Sequence, residues 1–192
     1  PELVVETVIT ELRTETGNHN AAIKLYTALA DEGVRSARLF TELGNCYFKT
    51  AHLDQAEHWF AQAFTLNSES DVVMYNLGLT RARMGNYQSA LELLTKYFEV
   101  TPTAIDVAHV IGDIYFKMKQ PATAVAYYEH VLTEQPSDAN VLLKLSDCYL
   151  HMGYADSARL GYQRVLQLDP KNKEVQKRLD DIQVRAESGQ TA

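Results

Sequence analysis

The sequence of 192 residues is short of the residues that several functional classes require. It contains two cysteines, Cys46 and Cys148, which form no CxxC pair and have no histidine at metal-ligand spacing. Its 18 lysine and arginine residues are outnumbered by 25 aspartate and glutamate residues, so the formal net charge is −7. Because binding to nucleic acid without sequence preference needs a basic surface, we expect neither a cysteine-based metal site nor a nucleic-acid partner.

Long apolar stretches are also absent. No run reaches the length that spans a bilayer, and no charged-then-apolar leader precedes the first helical pattern. We therefore expect no membrane insertion in this segment. The two thiols are typical of reduced packing residues and favour a cytoplasmic location, although a periplasmic protein or a membrane-tethered parent protein is also compatible with the sequence.

A repeat of 34 residues organises the sequence. Four two-residue segments recur at this spacing, each a large apolar residue followed by a small one: Leu43-Gly44, Leu77-Gly78, Ile111-Gly112 and Leu145-Ser146. Each is followed by an alanine and, four residues later, by a large apolar or aromatic residue: Ala56 and Phe60, Ala90 and Leu94, Ala124 and Tyr128, Ala158 and Tyr162. A weaker first copy precedes them. Since many independent positions agree on one period, the sequence predicts a repeat protein.

Each copy has the spacing of two helices packed closely together. Leu43, Gly44 and Tyr47 lie on one face of a first helix, and Ala56 and Phe60 do the same on a second helix. The small residues allow the two backbones to approach, and the large residues fill the space beside them. A proline ends the second helix of three copies, at Pro102, Pro136 and Pro170.

The pattern predicts five helix pairs and one last helix. First helices are expected near 3–15, 37–50, 71–84, 105–118 and 139–152, and second helices near 19–31, 54–67, 88–100, 121–134 and 155–168. The last helix, near 172–186, is apolar on one face and charged on the other, as a terminal capping helix is. Residues 188–192 are expected to be frayed.

The order of these residues resembles the signature of the tetratricopeptide repeats: an aromatic or large residue, then Leu-Gly, Tyr, Ala, Phe, Ala and Pro. The second copy matches it at Phe40, Leu43, Gly44, Tyr47, Ala56, Phe60 and Ala63. The resemblance covers about residues 3–170. It departs from the signature because the usual tryptophan is missing throughout, Arg13 and Arg81 replace the tyrosine, and Thr10 replaces the glycine of the first copy.

The resemblance implies an all-α fold, a right-handed superhelical solenoid of five helix-turn-helix pairs plus a C-terminal capping helix. It implies a single domain over residues 1–187, with repeats at about 3–36, 37–70, 71–104, 105–138 and 139–172. It also implies a concave wall, made by the first helices, that binds a peptide or a helix of a partner protein. The sequence would then encode an interaction scaffold or adaptor.

The outward positions of the first helices are therefore the candidate partner-binding residues: Asn45, Phe48, Lys49, Tyr75, Asn76, Leu79, Arg83, His109, Asp113, Phe116, Lys117 and Asp147. They divide into an apolar middle, a basic rim along one edge and an acidic C-terminal half, which favours a ligand with an apolar anchor and a basic end. In the alternative interpretation, the large residues pack against the next helix and the basic residues complement a helix dipole.

One subtype of the family can be tested on the residues. Repeats that clamp the carboxylate tail of chaperones use two asparagines and three basic residues, and Asn45 and Asn76 match the asparagines. Thr41, Asp106 and Val110 stand where the basic residues would be. We therefore expect no chaperone-tail clamp.

Two other classes of function are compatible with the sequence. A self-assembling structural protein could join copies through its terminal repeats or its groove. A metal-dependent hydrolase could use Asp106, His109 and Asp113 on one helix face with Asp147 and His151 on the next. Against the enzyme, the sequence has no HExxH, no glycine-rich phosphate loop and no nucleophile elbow. We expect no enzyme activity, no bound metal and no cofactor.

Overall fold

The computed structural model describes residues 18–187 and forms ten helices from them. They are α1 (His19–Asp31), α2 (Ala37–Lys49), α3 (Leu53–Leu66), α4 (Asp71–Arg83), α5 (Tyr87–Val100), α6 (Ile105–Lys117), α7 (Pro121–Glu134), α8 (Ala139–His151), α9 (Ala155–Leu168) and α10 (Lys173–Glu187). Each begins and ends within one residue of its predicted position. The predicted helix at 3–15 and the tail at 188–192 lie outside the described residues.

The chain divides into two compact units, unit 1 at residues 1–99 and unit 2 at residues 100–192. Unit 1 contains α1 to α4 and nearly all of α5, and unit 2 contains α6 to α10. The single domain expected over residues 1–187 stays a prediction.

Polar side chains cap several helices at the start. Ser36 accepts a hydrogen bond from the backbone N–H of Leu39 at 3.5 Å. Asp138 accepts from the backbone N–H groups of Asn140 and Val141 at 2.9 and 3.0 Å. These contacts satisfy donors that the first turn of a helix otherwise leaves without a partner. They fix where α2 and α8 begin, and so the register of their outward side chains.

The turns inside the helix pairs share a left-handed residue at the repeat spacing. Its φ angle is 61° at Ala51, 83° at Gly85, 58° at Lys119 and 82° at Gly153. Glycine adopts this conformation freely, whereas alanine and lysine adopt it at a cost of about 1–2 kcal/mol. The packing of the two helices therefore imposes the turn, even where the sequence has no glycine to favour it.

Glycines in the first helices allow close helix packing, as the repeat predicted. A Cβ atom added at Gly44 would lie 2.6 Å from the ring of Phe60, and one added at Gly78 would lie 2.8 Å from the side chain of Leu94. Phe60 and Leu94 are buried. In unit 1, the half-buried Trp59 packs against the core cluster beside Phe40, with ring centroids 5.3 Å apart.

In the last helix pair, α8 and α9, the glycine is on the second helix instead of the first. Ser146 on α8 takes the place of the glycine, and its buried hydroxyl donates to the Leu142 carbonyl at 2.7 Å. The opposing residue on α9 is Gly161, where an added Cβ would lie 2.1 Å from the Ser146 oxygen. At the equivalent second-helix positions the other pairs carry Trp59, Leu93 and Tyr127. The serine side chain on α8 is thus accommodated because the opposing residue on α9 has no side chain.

Side chains of the second helices in unit 2 also hold the turn before each pair. His130 on α7 hydrogen-bonds the carbonyl of Pro102 at 2.9 Å. Arg164 on α9, one repeat later, donates to the carbonyl of Pro136 at 2.8 Å. Since a proline carbonyl can only accept, the Nε2 atom of His130 carries the proton in this contact. The two contacts anchor the loops between successive helix pairs.

Helix α10 has the register of a further first helix, because it begins 34 residues after α8. Val175 and Ile182 are buried in one cluster with residues of α8 and α9. The positions at which the other first helices pack on their second helices are polar in α10, namely Gln176 and Asp180, and these two side chains hydrogen-bond each other at 2.9 Å. The inner side of α10 therefore continues the apolar core while its outer side is polar.

The two free thiols are buried. Burial, with a smaller contribution from Glu42, raises the pKa of Cys46 to about 11. Burial and then the charge of Asp147 raise the pKa of Cys148 to about 12. A thiol with a raised pKa is protonated at neutral pH and so is a poor nucleophile.

We therefore expect neither thiol to react with a thiol-specific disulfide reagent at pH 8 in the folded protein, and both to react within minutes in urea. The usual thiol pKa is 9.0, so above pH 9 the unfolded chain loses these protons first and the free energy of unfolding falls as pH rises. Absorbance of the released chromophore measures the reaction. Rapid labelling of the folded protein at pH 8 would contradict the burial of these two residues.

Candidate protein-binding faces

The predicted binding residues of unit 1 lie on the outward side of α2 and α4. We call this set the unit 1 face: Asn45, Phe48, Lys49, Tyr75, Asn76, Leu79 and Arg83. Each of the seven is half-buried or exposed, and none belongs to the buried core. Their side chains are therefore partly accessible within unit 1.

Two asparagines link α2 to α4 on this face. Asn76 donates from Nδ2 to the Oδ1 atom of Asn45 at 3.1 Å, and Asn45 donates to Glu42 at 3.4 Å. The Oδ1 atom of Asn76 accepts no hydrogen bond within residues 18–187, so an acceptor on this face is left for another molecule. The two predicted asparagines are thus joined by a hydrogen bond between uncharged side chains.

Phe48 is partly covered. The guanidinium of Arg83 lies over its ring, 4.1 Å from the centroid, in the geometry of a cation–π interaction. The ring also packs against the core cluster that contains Phe60 and Leu77. Phe48 therefore contributes to packing while part of its ring stays accessible. This agrees with the alternative interpretation, in which the large residues pack against a neighbouring helix.

Tyr75 and Leu79 provide the remaining apolar surface of the unit 1 face. They are one turn apart on α4 and are both half-buried. The ring of Tyr75 contacts that of Tyr97 on α5, with centroids 5.4 Å apart. This contact holds the tyrosine ring in one place while part of it stays accessible, which suits an anchor for a partner side chain.

In unit 2, Asp113 is enclosed by three side chains. Lys144 on α8 donates from Nζ to both carboxylate oxygens at 2.7 Å, and Tyr128 on α7 donates to Oδ1 at 2.8 Å. Lys144 also donates to Nε2 of His109 at 3.0 Å. That histidine nitrogen must then be an acceptor, so the proton lies on Nδ1.

Asp147 has the same surroundings one repeat later. Its Oδ1 atom accepts from the hydroxyl of Tyr162 on α9 at 2.5 Å and from Arg178 on α10. Arg178 also pairs with Glu174 at 2.7 Å. Burial and the hydrogen bond to Asp147 raise the pKa of Tyr162, and the corresponding causes raise that of Tyr128. Both tyrosines therefore stay protonated as donors at neutral pH.

These contacts change the interpretation of the acidic C-terminal half. Asp113 and Asp147 each have a cation from the next first helix within hydrogen-bond distance, so their charges are balanced inside unit 2. Lys144 and Arg178 were not predicted as partners of these aspartates. The signal was available, since both lie 31 residues after their aspartates, as Asn76 does after Asn45.

The other predicted residues of unit 2 lie on the outward ends of α6 and α8. The half-buried ring of Phe116 meets the imidazole of His151 edge to face, with centroids 5.2 Å apart. Lys117 is exposed in the last turn of α6. Within residues 18–187, no three histidine, cysteine, aspartate or glutamate side chains are grouped so that they could hold a metal ion.

Comparison with known proteins agrees with this architecture. Models described as tetratricopeptide repeat match residues 37–70, 72–100 and 115–182, which together are more than half of the chain. The chain belongs to the tetratricopeptide repeat family. Among the helices that the structure describes, none combines the length and the apolar character needed to cross a membrane.

Two curated relatives are described as the BBSome complex member BBS4 and a homolog of it. The chain is 25% identical over 127 residues to the BBSome complex member BBS4 of Bos taurus, which is 66% of this chain and 24% of that protein. It is 24% identical over 155 residues to the BBS4 homolog of Drosophila melanogaster, 75% of this chain and 32% of that protein. The chain thus spans about a quarter to a third of the curated relatives it matches.

Solved structures of MamA share the fold. For MamA AMB-1 the TM-score is 0.78 at 21% identity, covering 85% of this chain and 95% of that one. For MamA from Desulfovibrio magneticus RS-1 the TM-score is 0.72 at 20% identity, covering 79% and 85%. At this identity the likeness shows the fold alone, an all-α tetratricopeptide solenoid.

Proposed function

We propose that this chain is a protein-interaction module that binds a peptide or a helix of a partner protein on the unit 1 face. The family and the fold support a binding role, since tetratricopeptide repeats typically serve as scaffolds rather than as enzymes. The relative described as a BBSome complex member is a component of an assembly, which is the setting in which a scaffold acts. A cytoplasmic location remains a prediction that rests on the two free thiols.

The observation that carries the proposal is the pairing of apolar and polar groups on α4. Tyr75 and Leu79 offer accessible apolar surface, and Asn76 between them has an amide oxygen that accepts no hydrogen bond from the described part of the chain. An apolar anchor flanked by a hydrogen-bonding group suits an extended peptide or a helix that presents both an apolar side chain and a donor.

The charge of the ligand is revised from the sequence-based expectation. A basic end was expected because of Asp106, Asp113 and Asp147, and two of these carboxylates, Asp113 and Asp147, are paired with Lys144 and Arg178. The exposed cations Lys49 and Arg83 have no carboxylate partner among the described residues. They favour a ligand whose anchor is followed by an acidic group.

The double variant Tyr75→Ala with Leu79→Ala is expected to weaken binding at least tenfold, a loss of about 1.4 kcal/mol or more for truncating two anchors. Partners captured by the wild-type chain from native lysate would be identified, purified and titrated by calorimetry against both proteins. Circular dichroism should show unchanged helicity, because both residues are only half-buried.

A matched control truncates two large apolar side chains elsewhere in unit 1. Leu25 and Leu66, both 49% exposed, lie on the second helices α1 and α3, so Leu25→Ala with Leu66→Ala should bind the same partner with unchanged affinity. Equal losses in the two double variants would reject the unit 1 face as the site. A loss of helicity in the first double variant would show that Tyr75 and Leu79 are core residues instead.

A further inference from the structure

Unit 2 contains the same cation-binding arrangement twice. In the first, Asp113 of α6 accepts a hydrogen bond from Tyr128 of α7 and binds Lys144 of α8. In the second, Asp147 of α8 and Tyr162 of α9 hold a cation of α10, Arg178. The aspartate, the tyrosine and the cation are each displaced by one repeat. Each arrangement is a carboxylate that accepts from a phenol hydroxyl of its own helix pair and binds a cation on the next first helix.

Helices α8 and α10 present matching residues to these two sites. Val175 of α10 stands at the position of Val141 of α8, and both are buried. Arg178 stands at the position of Lys144, so the long cationic side chain is also kept. The α8–α9 surface with Asp147 and Tyr162 is therefore a docking site for a helix with this pattern, and α10 is its occupant within the chain.

Helix α10 is held to unit 2 by fewer buried side chains than α9 is. Among its described side chains, only Val175 and Ile182 are fully buried, whereas α9 buries Ala158, Tyr162 and Val165. A segment of four residues, 169–172, joins α9 to α10. Since elements with few buried apolar contacts open at the lowest free energy, α10 is the element of unit 2 best suited to leave its site.

The outer side of α10 would tolerate that movement. Gln176 and Asp180 take the positions at which other first helices pack on their own second helices, and Lys177 and Asp181 beside them are exposed. A released α10 is then an amphipathic helix with one narrow apolar stripe and Arg178 beside it. The surface that it leaves is complementary to the same helix of any other copy of the chain.

We propose that α10 is exchanged between two copies of this chain, so that the α10 of each copy docks on the α8–α9 surface of the other. Arg178 of one copy then binds Asp147 and Tyr162 of the second copy, with the contacts that the closed chain makes. The exchange preserves every contact of the docked helix and therefore needs no new interface. Two copies in this arrangement form a closed dimer.

Reversing the charges on separate chains tests the exchange. Asp147→Arg places two arginines at the site, and Arg178→Asp places two aspartates there, so each variant alone is mismatched both in the closed chain and in a dimer of identical copies. In a mixture, the α10 of the first variant keeps Arg178 and meets an unchanged Asp147. The α10 of the second variant carries an aspartate and meets the new arginine. Both sites of a mixed dimer are matched.

Light scattering after size-exclusion chromatography measures the outcome. We expect each variant alone to have the mass of one chain, and an equimolar mixture to give a species of twice that mass containing both variants by mass spectrometry. The matched control is the chain with both substitutions, in which residues 147 and 178 are again oppositely charged within and between copies, so it should form the dimer without a second variant, as the unchanged chain should. If the mixture keeps the mass of one chain at every concentration tested, the exchange is rejected. Helicity of each variant by circular dichroism identifies any that fails to fold.

Discussion

Replacing Gly112 with valine is expected to lower the free energy of unfolding by about 3 kcal/mol, at the upper end of the usual cost of overpacking a core. A Cβ atom at this position would lie 2.7 Å from the ring of Tyr128. That ring is fully buried, and its hydroxyl is held by Asp113 at 2.8 Å. Because the ring cannot move aside without breaking this hydrogen bond, α6 and α7 must separate instead. Urea unfolding followed by circular dichroism measures the difference.

A second glycine of unit 2 serves as the control. Gly153 has a φ angle of 82° and nothing within 4 Å of an added Cβ. Asparagine tolerates this left-handed conformation better than other residues with a side chain, so Gly153→Asn should cost less than about 1 kcal/mol. If Gly112→Val costs no more than this control, the close approach of α6 and α7 does not limit the size of the residue.

Replacing Asp113 with alanine is expected to lower the free energy of unfolding by about 2 kcal/mol, mainly because the buried hydroxyl of Tyr128 loses its acceptor. Lys144 contributes less to this figure, since its side chain is 26% exposed and can turn towards water. The same urea unfolding measurement applies. A cost that vanished at high salt would instead assign the whole effect to the ion pair.

Two further variants separate the hydroxyl from the charge. Asp113→Asn keeps an oxygen that can accept from Tyr128, so it should cost less than the alanine variant. Tyr128→Phe combined with Asp113→Ala removes the donor together with its acceptor, and should recover part of the lost stability. If the double variant is less stable than Asp113→Ala alone, the unsatisfied hydroxyl is not the cause.

The fold could be predicted closely because the same pattern of residues recurs in several copies along the sequence. Glycine and alanine at fixed spacing, with Phe60 or Tyr128 opposite, predict which helices pack and where each begins. The turns were less predictable. Ala51 and Lys119 adopt left-handed conformations that their side chains do not favour, and helix packing rather than local sequence causes this. The pairing of a larger residue on α8, Ser146, with a glycine on α9, Gly161, was not predicted, because it depends on two residues on different helices.

The candidate site was predictable as a set of positions but not as a set of charges. Each predicted residue of the unit 1 face is partly accessible, as its outward position implied. The availability of a carboxylate depends on what lies across from it on the next helix. Asp113 and Asp147 looked like ligand-binding groups when α6 and α8 were considered alone, and Lys144 and Arg178 occupy them in the structure.

The reversed sizes of Ser146 and Gly161 restrict how this array can be recombined. A gene fusion that joined α8 to the second helix of another pair would set the serine against tryptophan, leucine or tyrosine, the residues found at the position of Gly161 elsewhere. A breakpoint in the loop before α8 keeps the serine and the glycine together and avoids that collision. The helix pair, rather than the single helix, is then the smallest unit of this chain that can be duplicated, deleted or transplanted.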